Sequence, residues 1–227
     1  MIKTFEQFLF EWTREDNDDF FAQIRSAFEY DARGWNEIMD SEKAWGFAMK
    51  KYDKFNTKSF KSWFSGSVVK NEDGSPEVVH HSSQDEFTQF RTPAFFGSNG
   101  TSNAYWGEYY YYCVLQLKNP LEMRKYKLGH DEWMKRVREM LEGSSNFESR
   151  MDFAEKYEDG YGFFKLLEGD RFGDPYLWPM VYDYIRKKGH DGMIYRESDQ
   201  SIQWFFEGYI VMKPEQIKII HVQKHED

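Results

Sequence analysis

A chain of 227 residues is long enough to bury one substantial core with an appendage, or two smaller cores, and its net charge of −9 argues against a general phosphate-backbone binder. One cysteine, Cys113, excludes an internal disulfide and a cysteine-based metal site and fits a reducing compartment. Aromatic residues make up 19% of the chain, so core and pockets must be built largely from rings, and no apolar run approaches the roughly 18 residues of a membrane-spanning helix.

Residues 1–60 have helical periodicity and little strand character. Phe5, Phe8, Leu9 and Trp12 recur at three- and four-residue spacing, as do Phe20, Ile24, Ala27 and Phe28. Gly34 punctuates, and Ala44, Phe47, Ala48 and Tyr52 mark another helix. The segment is expected to be a helical extension packed on the part that follows. It opens without the basic region, apolar core and small-residue cleavage site of a secretory signal, so a soluble, cytoplasmic protein is expected.

The run WFSGSVVKNEDGSPEVVHHSS spans residues 63–83. Val68-Val69 and Val78-Val79 are short β-branched runs, and Asn71, Asp73, Gly74 and Pro76 between them are turn formers. A strand, a turn and a second strand are predicted, with His80, His81, Ser82 and Ser83 leaving the sheet where a ligand can meet them. Next come Phe95 and Phe96, then Gly97 and Ser98; neighbours on a strand face opposite ways, so only one of the two rings can reach a pocket. Tyr109 to Leu117 is a strong β segment whose alternation puts Tyr110, Tyr112, Val114 and Gln116 on one face and Tyr109, Tyr111, Cys113, Leu115 and Leu117 on the other. In an acidic chain the four tyrosines read as a central strand packed on both sides rather than a base-stacking platform. The segment closes on Asn119-Pro120-Leu121.

Helical stripes return over residues 130–188. Trp133, Val137, Met140 and Leu141 form one, and Tyr182 and Ile185 belong to another that ends in Arg186, Lys187 and Lys188 before Gly189. Gly189-His190-Asp191-Gly192-Met193-Ile194 then opens a strand, with Asp191-Gly192 read as its initiating turn. The remaining histidines, His130, His190, His221 and His225, lack the spacing of a metal site.

These segments together resemble ADP-ribosyltransferases of the diphtheria-toxin and poly-ADP-ribose-polymerase type, particularly small phage and polyvalent-protein members. Trp63, Phe64, Ser67, Val68, Val69, Gly74, Pro76, Val78, Val79 and His81 fall in step with the family's entry to its catalytic core. The strand ending in Asn119-Pro120-Leu121, the Gly189 to Ile194 segment, and Tyr209-Ile210-Val211-Met212-Lys213-Pro214-Glu215-Gln216-Ile217-Lys218 resemble further family segments. The resemblance implies an α+β fold: a split antiparallel β-sheet core over residues 61–227, with the N-terminal helical extension and a helical insert at about 130–188. The opening MIKTFEQFL is similar to phage head-protein leaders cut after a triplet such as Leu9-Phe10-Glu11, which points to phage origin.

The resemblance further implies that NAD+ is the substrate, that no metal is needed and that ADP-ribose passes to a host macromolecule, protein rather than nucleic acid. The protein would act as an effector in the host cytoplasm or travel in the virion, with no membrane partner. His81 would bond the adenosine-side ribose, Ser82 with Ser83 and Ser98 would complete the cofactor site, and Phe95 or Phe96 would lie on the nicotinamide. The family's catalytic Glu position is Gly208 here, and the nearest carboxylate is Glu207. In a regular strand a one-residue slip turns Glu207 to the opposite face. Either a β-bulge at Gly208 returns Glu207 to the pocket and the enzyme is active, or the catalytic carboxylate is lost and the chain is a binding or structural module.

Overall fold

The computed structural model describes Trp45 and residues 57–98, 107–156, 163–167, 177–199 and 204–224. The expected N-terminal extension and the Leu9-Phe10-Glu11 triplet therefore lie outside the described residues, apart from Trp45 and the start of α1 (Lys58–Phe64). Thr57 caps that helix by accepting the Phe60 N–H at 3.1 Å, and Trp45 stacks on Phe60 with ring centres 5.5 Å apart.

The strands are β1 (Val78–Ser83), β2 (Ala94–Gly97), β3 (Tyr109–Leu115), β4 (Leu121–Glu122), β5 (Gly192–Asp199), β6 (Trp204–Val211) and β7 (Ile217–Lys224). They form one seven-stranded sheet in the order β4-β5-β6-β2-β1-β3-β7, antiparallel except for β4 beside β5. Between β3 and β4 in sequence and β5 come α2 (Lys125–Leu128), α3 (His130–Leu141), α4 (Phe147–Lys156), α5 (Phe163–Leu167) and α6 (Trp178–Lys187). The protein is thus α+β with a mostly antiparallel sheet, and α3 and α6 carry the two apolar stripes read within residues 130–188.

Opposed residues in a sheet share a face. One face carries Val79, His81 and Ser83 of β1, Phe96 of β2, Tyr111 and Cys113 of β3, Ile194 and Arg196 of β5 and Glu207 and Tyr209 of β6. The other carries His80, Gly97, Gly208 and Tyr195. The His80 face is buried by the helices: Met193, Tyr195 and Ile210 pack with Trp133, Val137, Met140, Leu141, Leu166, Leu167, Val181 and Ile185. On the His81 face, Val79, Phe96, Tyr111, Tyr209 and Val211 pack with Phe90 from the β1–β2 connection. β3 is not central in the sheet but lies next to its edge strand β7; its middle is covered on both faces, and the Cys113 thiol is fully buried.

The sheet has one thin seam. β1 meets β2 through the single pair His80–Gly97, whereas β1 runs alongside β3 from Val78–Val114 to Ser83–Tyr109. The Gly189 to Gly192, Asn119 to Leu121 and Lys213 to Gln216 segments meet through hydrogen bonds. Asp191 accepts the N–H groups of Lys118 (2.6 Å) and Asn119 (3.0 Å), so the Gly-His-Asp-Gly run caps the Asn-Pro-Leu run. Buried Gln216 donates to the carbonyls of Asp191 and Gln116 and accepts the Lys213 N–H.

The predicted strand at Val68-Val69 does not form. Ser67 Oγ donates to the Leu115 carbonyl at 2.9 Å and accepts the N–H of Val69 and Leu117, and Val68 N–H donates to Leu117, tying this segment to the end of β3. Pairing toward β1 is confined to the Lys70–Pro76 bridge, closed by a turn with Gly74 at φ +85°.

Nor is there a bulge at Gly208. Pairing runs without interruption from Gly192–Val211 to Asp199–Trp204 on one side of β6 and from Ala94–Val211 to Gly97–Gly208 on the other. Gly208 is demanded by contact instead: a Cβ there would stand 2.1 Å from Cζ of Tyr195, whose buried ring packs on Phe163. Gly208→Ala is expected to cost about 1–3 kcal/mol in denaturant unfolding. The double variant with Tyr195→Ala should cost less than the sum of the two single changes; strict additivity would mean that Tyr195 is not the obstacle.

Candidate functional site

His81 stands in a box of rings. Phe90, Phe96, Phe87 and Tyr111 lie with centres 5.0, 5.7, 6.2 and 6.2 Å from the imidazole. Its Nδ1 is 2.7 Å from the Phe95 carbonyl across the seam. A carbonyl only accepts, so Nδ1 carries the hydrogen and Nε2 keeps its lone pair. Burial pushes the imidazole pKa below its ordinary value, outweighing the bond to Phe95, and the ring is a neutral acceptor at neutral pH.

On the same face, Glu207 sits where β6 passes the end of β2. Its N–H donates to Ser98 Oγ at 2.9 Å and its carbonyl accepts the Ser98 N–H at 2.8 Å, so Ser98 extends the ladder by one rung and fixes the backbone of Glu207. The carboxylate accepts from Arg124 Nη1 at 2.6 Å and from Tyr126 Oη at 2.7 Å. Arg124 is in turn clamped by Glu122, which accepts its N–H at 2.9 Å, Nε at 2.8 Å and Nη2 at 2.5 Å. Tyr126 is exposed, and the Arg196 guanidinium lies 5.0 Å from its ring centre. Burial alone would raise the Glu207 pKa, but the Arg124 and Tyr126 hydrogen bonds and the Arg124 charge outweigh it and hold the carboxyl below its ordinary value. Glu207 is ionised at neutral pH.

A second carboxyl shares this corner. The Tyr209 hydroxyl lies 2.9 Å from Glu77 Oε2 and 3.3 Å from Glu207 Oε2. Burial, with the Glu207 charge adding to it, lifts the Glu77 pKa to about 7 against the opposing effects of Tyr209 and Arg124. Two carboxyls joined by one phenol thus have environments that push their proton affinities apart, the arrangement that separates an acid from a base.

The residues expected from sequence are divided by the sheet. His81, Ser83, Phe96 and Glu207 share a face, and Ser98 anchors the last of them. Ser82 and Phe95 lie on the other, where Phe95 packs against Trp178 with ring centres 4.5 Å apart. Of the aromatic pair, then, Phe96 is the ring on the His81 side, and it is buried in the core. The expectation that a regular strand turns Glu207 away is corrected: β6 is regular, and its register puts Glu207 on the His81 face and Gly208 on the helical one. Arg124, Tyr126, Glu122, Tyr209 and Glu77 were missed as site residues. Period-two spacing gave a signal for two of them, since Glu77 alternates with Val79 and His81, and Glu207 with Tyr209; nothing in the sequence marked Arg124.

Among the described residues no group of three or more His, Cys, Asp or Glu is placed to hold a metal ion, and no helix is long and apolar enough to cross a membrane. No family model matches the chain, and no curated protein matches it. A solved structure described as the crystal structure of an anti-CRISPR protein is similar at a TM-score of 0.36 and 14% identity, over 63% of this chain and 93% of that one. At that TM-score the likeness bears on neither fold nor function.

The raised Glu77 pKa has a consequence for stability. The folded protein holds this proton more tightly than the unfolded chain, so the contribution is fully favourable in acid, below the ordinary Glu value. It is lost as pH rises toward about 7 and stays lost above it. Glu77→Gln, which cannot ionise, is therefore expected to stabilise the protein above neutrality by up to about 3 kcal/mol and to change little in acid. Denaturant midpoints of the two proteins across pH measure the difference.

Proposed function

We propose that the protein transfers ADP-ribose from NAD+ to a macromolecular acceptor, on an ADP-ribosyltransferase-like split sheet whose two halves meet at the β1–β2 seam. The observation that carries this reading is that Glu207, ionised, stands on the face of His81, on the opposite side of that seam. In the proposed reaction the bond between ribose C1′ and nicotinamide breaks, nicotinamide leaves with the bonding electrons, and an oxocarbenium-like centre forms. Glu207 places negative charge beside that centre. Its Oε1 accepts one internal donor, Tyr126, and keeps a lone pair for a ribose hydroxyl, while Oε2 faces Arg124 and Tyr209. His81 offers Nε2 as acceptor for a hydroxyl of the other ribose, and Ser83 lies two residues further along its face. The net charge of −9 favours a protein acceptor over nucleic acid. In the same reading the chain is a phage-encoded effector that acts in the host cytoplasm or is carried in the virion.

One observation favours a second reading. Both Glu207 oxygens already have partners within the protein, Arg124 and Tyr126, as in a fold kept as a non-catalytic binding or virion module.

Label transfer from adenine-labelled NAD+ into a bacterial lysate separates the two. The transferase reading expects labelled product with the wild type, its loss with Glu207→Ala, and weaker NAD+ binding with His81→Ala. Neither label nor released nicotinamide from the wild type would leave the non-catalytic module, and unchanged NAD+ affinity in His81→Ala would remove His81 from the site.

A further inference from the structure

We infer that Glu77, Tyr209 and Glu207 form a proton relay, in which Glu207 collects the proton of the acceptor nucleophile and Tyr209 passes it to Glu77. The chemistry served rests on the transferase reading; the relay itself rests on geometry. Tyr209 is 1% exposed and has one hydroxyl proton for two carboxyl oxygens, Glu77 Oε2 at 2.9 Å and Glu207 Oε2 at 3.3 Å. With both carboxyls ionised that proton serves one of them, and the other contact sets lone pair against negative charge. A proton on Glu77 completes the chain: Glu77 donates to Tyr209 Oη, and Tyr209 donates to Glu207.

Glu207 alone is a poor base, because Arg124 and Tyr126 hold it ionised. Glu77 is the carboxyl whose affinity for a proton is matched to neutral pH, at about 7. The charged and titratable groups acting on Glu77 are Tyr209 and Glu207 from β6 and Arg124 from the segment after β4; its neighbours Pro76 and Val78 carry no charge. The step balances from ionised Glu77. As the nucleophile bonds to C1′ it gives its proton to Glu207, Glu207 passes it to Tyr209 Oη while the phenolic proton moves to Glu77, and the phenol is restored. Glu77, half-buried beside the exposed turn at Glu72 to Gly74, then releases the proton to water.

Two measurements on the full chain test this. In a carboxyl-carbon NMR titration, with Glu77→Gln identifying the resonance, Glu77 should titrate near 7. Glu207→Gln should lower that midpoint by removing a like charge, and Tyr209→Phe should raise it by removing the hydrogen bond. An ordinary glutamate midpoint, or one that Glu207→Gln leaves in place, overturns the relay. In the label-transfer assay the wild-type rate should rise with pH through about 7. Glu77→Gln should lose that limb and run roughly 100-fold slower above neutrality; a variant that keeps the wild-type limb overturns the relay. A wild type that transfers nothing at any pH defeats the transferase reading and the acceptor as proton source, while the titration still decides whether the three groups share a proton.

Discussion

The register of β6 between β2 and β5 places the charged groups of the candidate site. Gly208 faces Gly97 on one side and Tyr195 on the other, and the Tyr195 ring occupies the space where a Cβ would project. Sliding β6 by one residue would turn Glu207 to the helical face and bring either Glu207 or Tyr209 onto the buried Tyr195, so steric exclusion on one face fixes chemistry on the other. Ser98 adds the last rung, bonding both the N–H and the carbonyl of Glu207. Gly208 is a packing requirement, and the neighbouring carboxylate is aimed by the same contact.

From that register follows the electrostatics. Glu77, Glu122 and Glu207 gather around Arg124, where burial opposes the guanidinium charge and the Glu122 and Glu207 carboxylates more than offset it. Three acidic groups around one guanidinium cannot all be neutralised by it. Glu122 and Glu207 contact the guanidinium directly, while Glu77 meets the cluster only through a phenol and is the one left holding a proton near neutrality. Partly buried ion pairs of this kind contribute little net stability. Their effect here is to push the proton affinities of Glu77 and Glu207 apart within one corner of the sheet.

Much of the architecture was legible because it rests on local signals. The stripe of Trp133, Val137, Met140 and Leu141 made α3, the alternation of Tyr109 to Leu115 made a two-sided strand, and Asp191-Gly192 began β5 by capping the chain before β4. What failed depended on partners distant in sequence. Val68-Val69 has strand propensity, yet Ser67 spends its hydroxyl on the end of β3 and leaves the segment outside the sheet. The alternation of Glu207 and Tyr209 was visible, but alternation gives parity without saying which parity shares a face with His81. That depends on β2 being inserted between β1 and β6, a fact of topology. Arg124 was invisible for the same reason: its partner Glu207 is 83 residues away.

The contacts that keep Glu207 charged also occupy its oxygens, and they are unequal. Arg124 is buried and donates three bonds to Glu122, which hold its free edge, Nη1, against Glu207. Tyr126 is 54% exposed, on the four-residue helix α2, and its hydroxyl is easily replaced by water. A ribose hydroxyl offers the same kind of donor at the same place. For the proposed chemistry, exchanging the Tyr126 bond for a substrate bond would leave Arg124 to keep Glu207 ionised throughout, and the occupied carboxylate would then be a guarded site rather than a closed one.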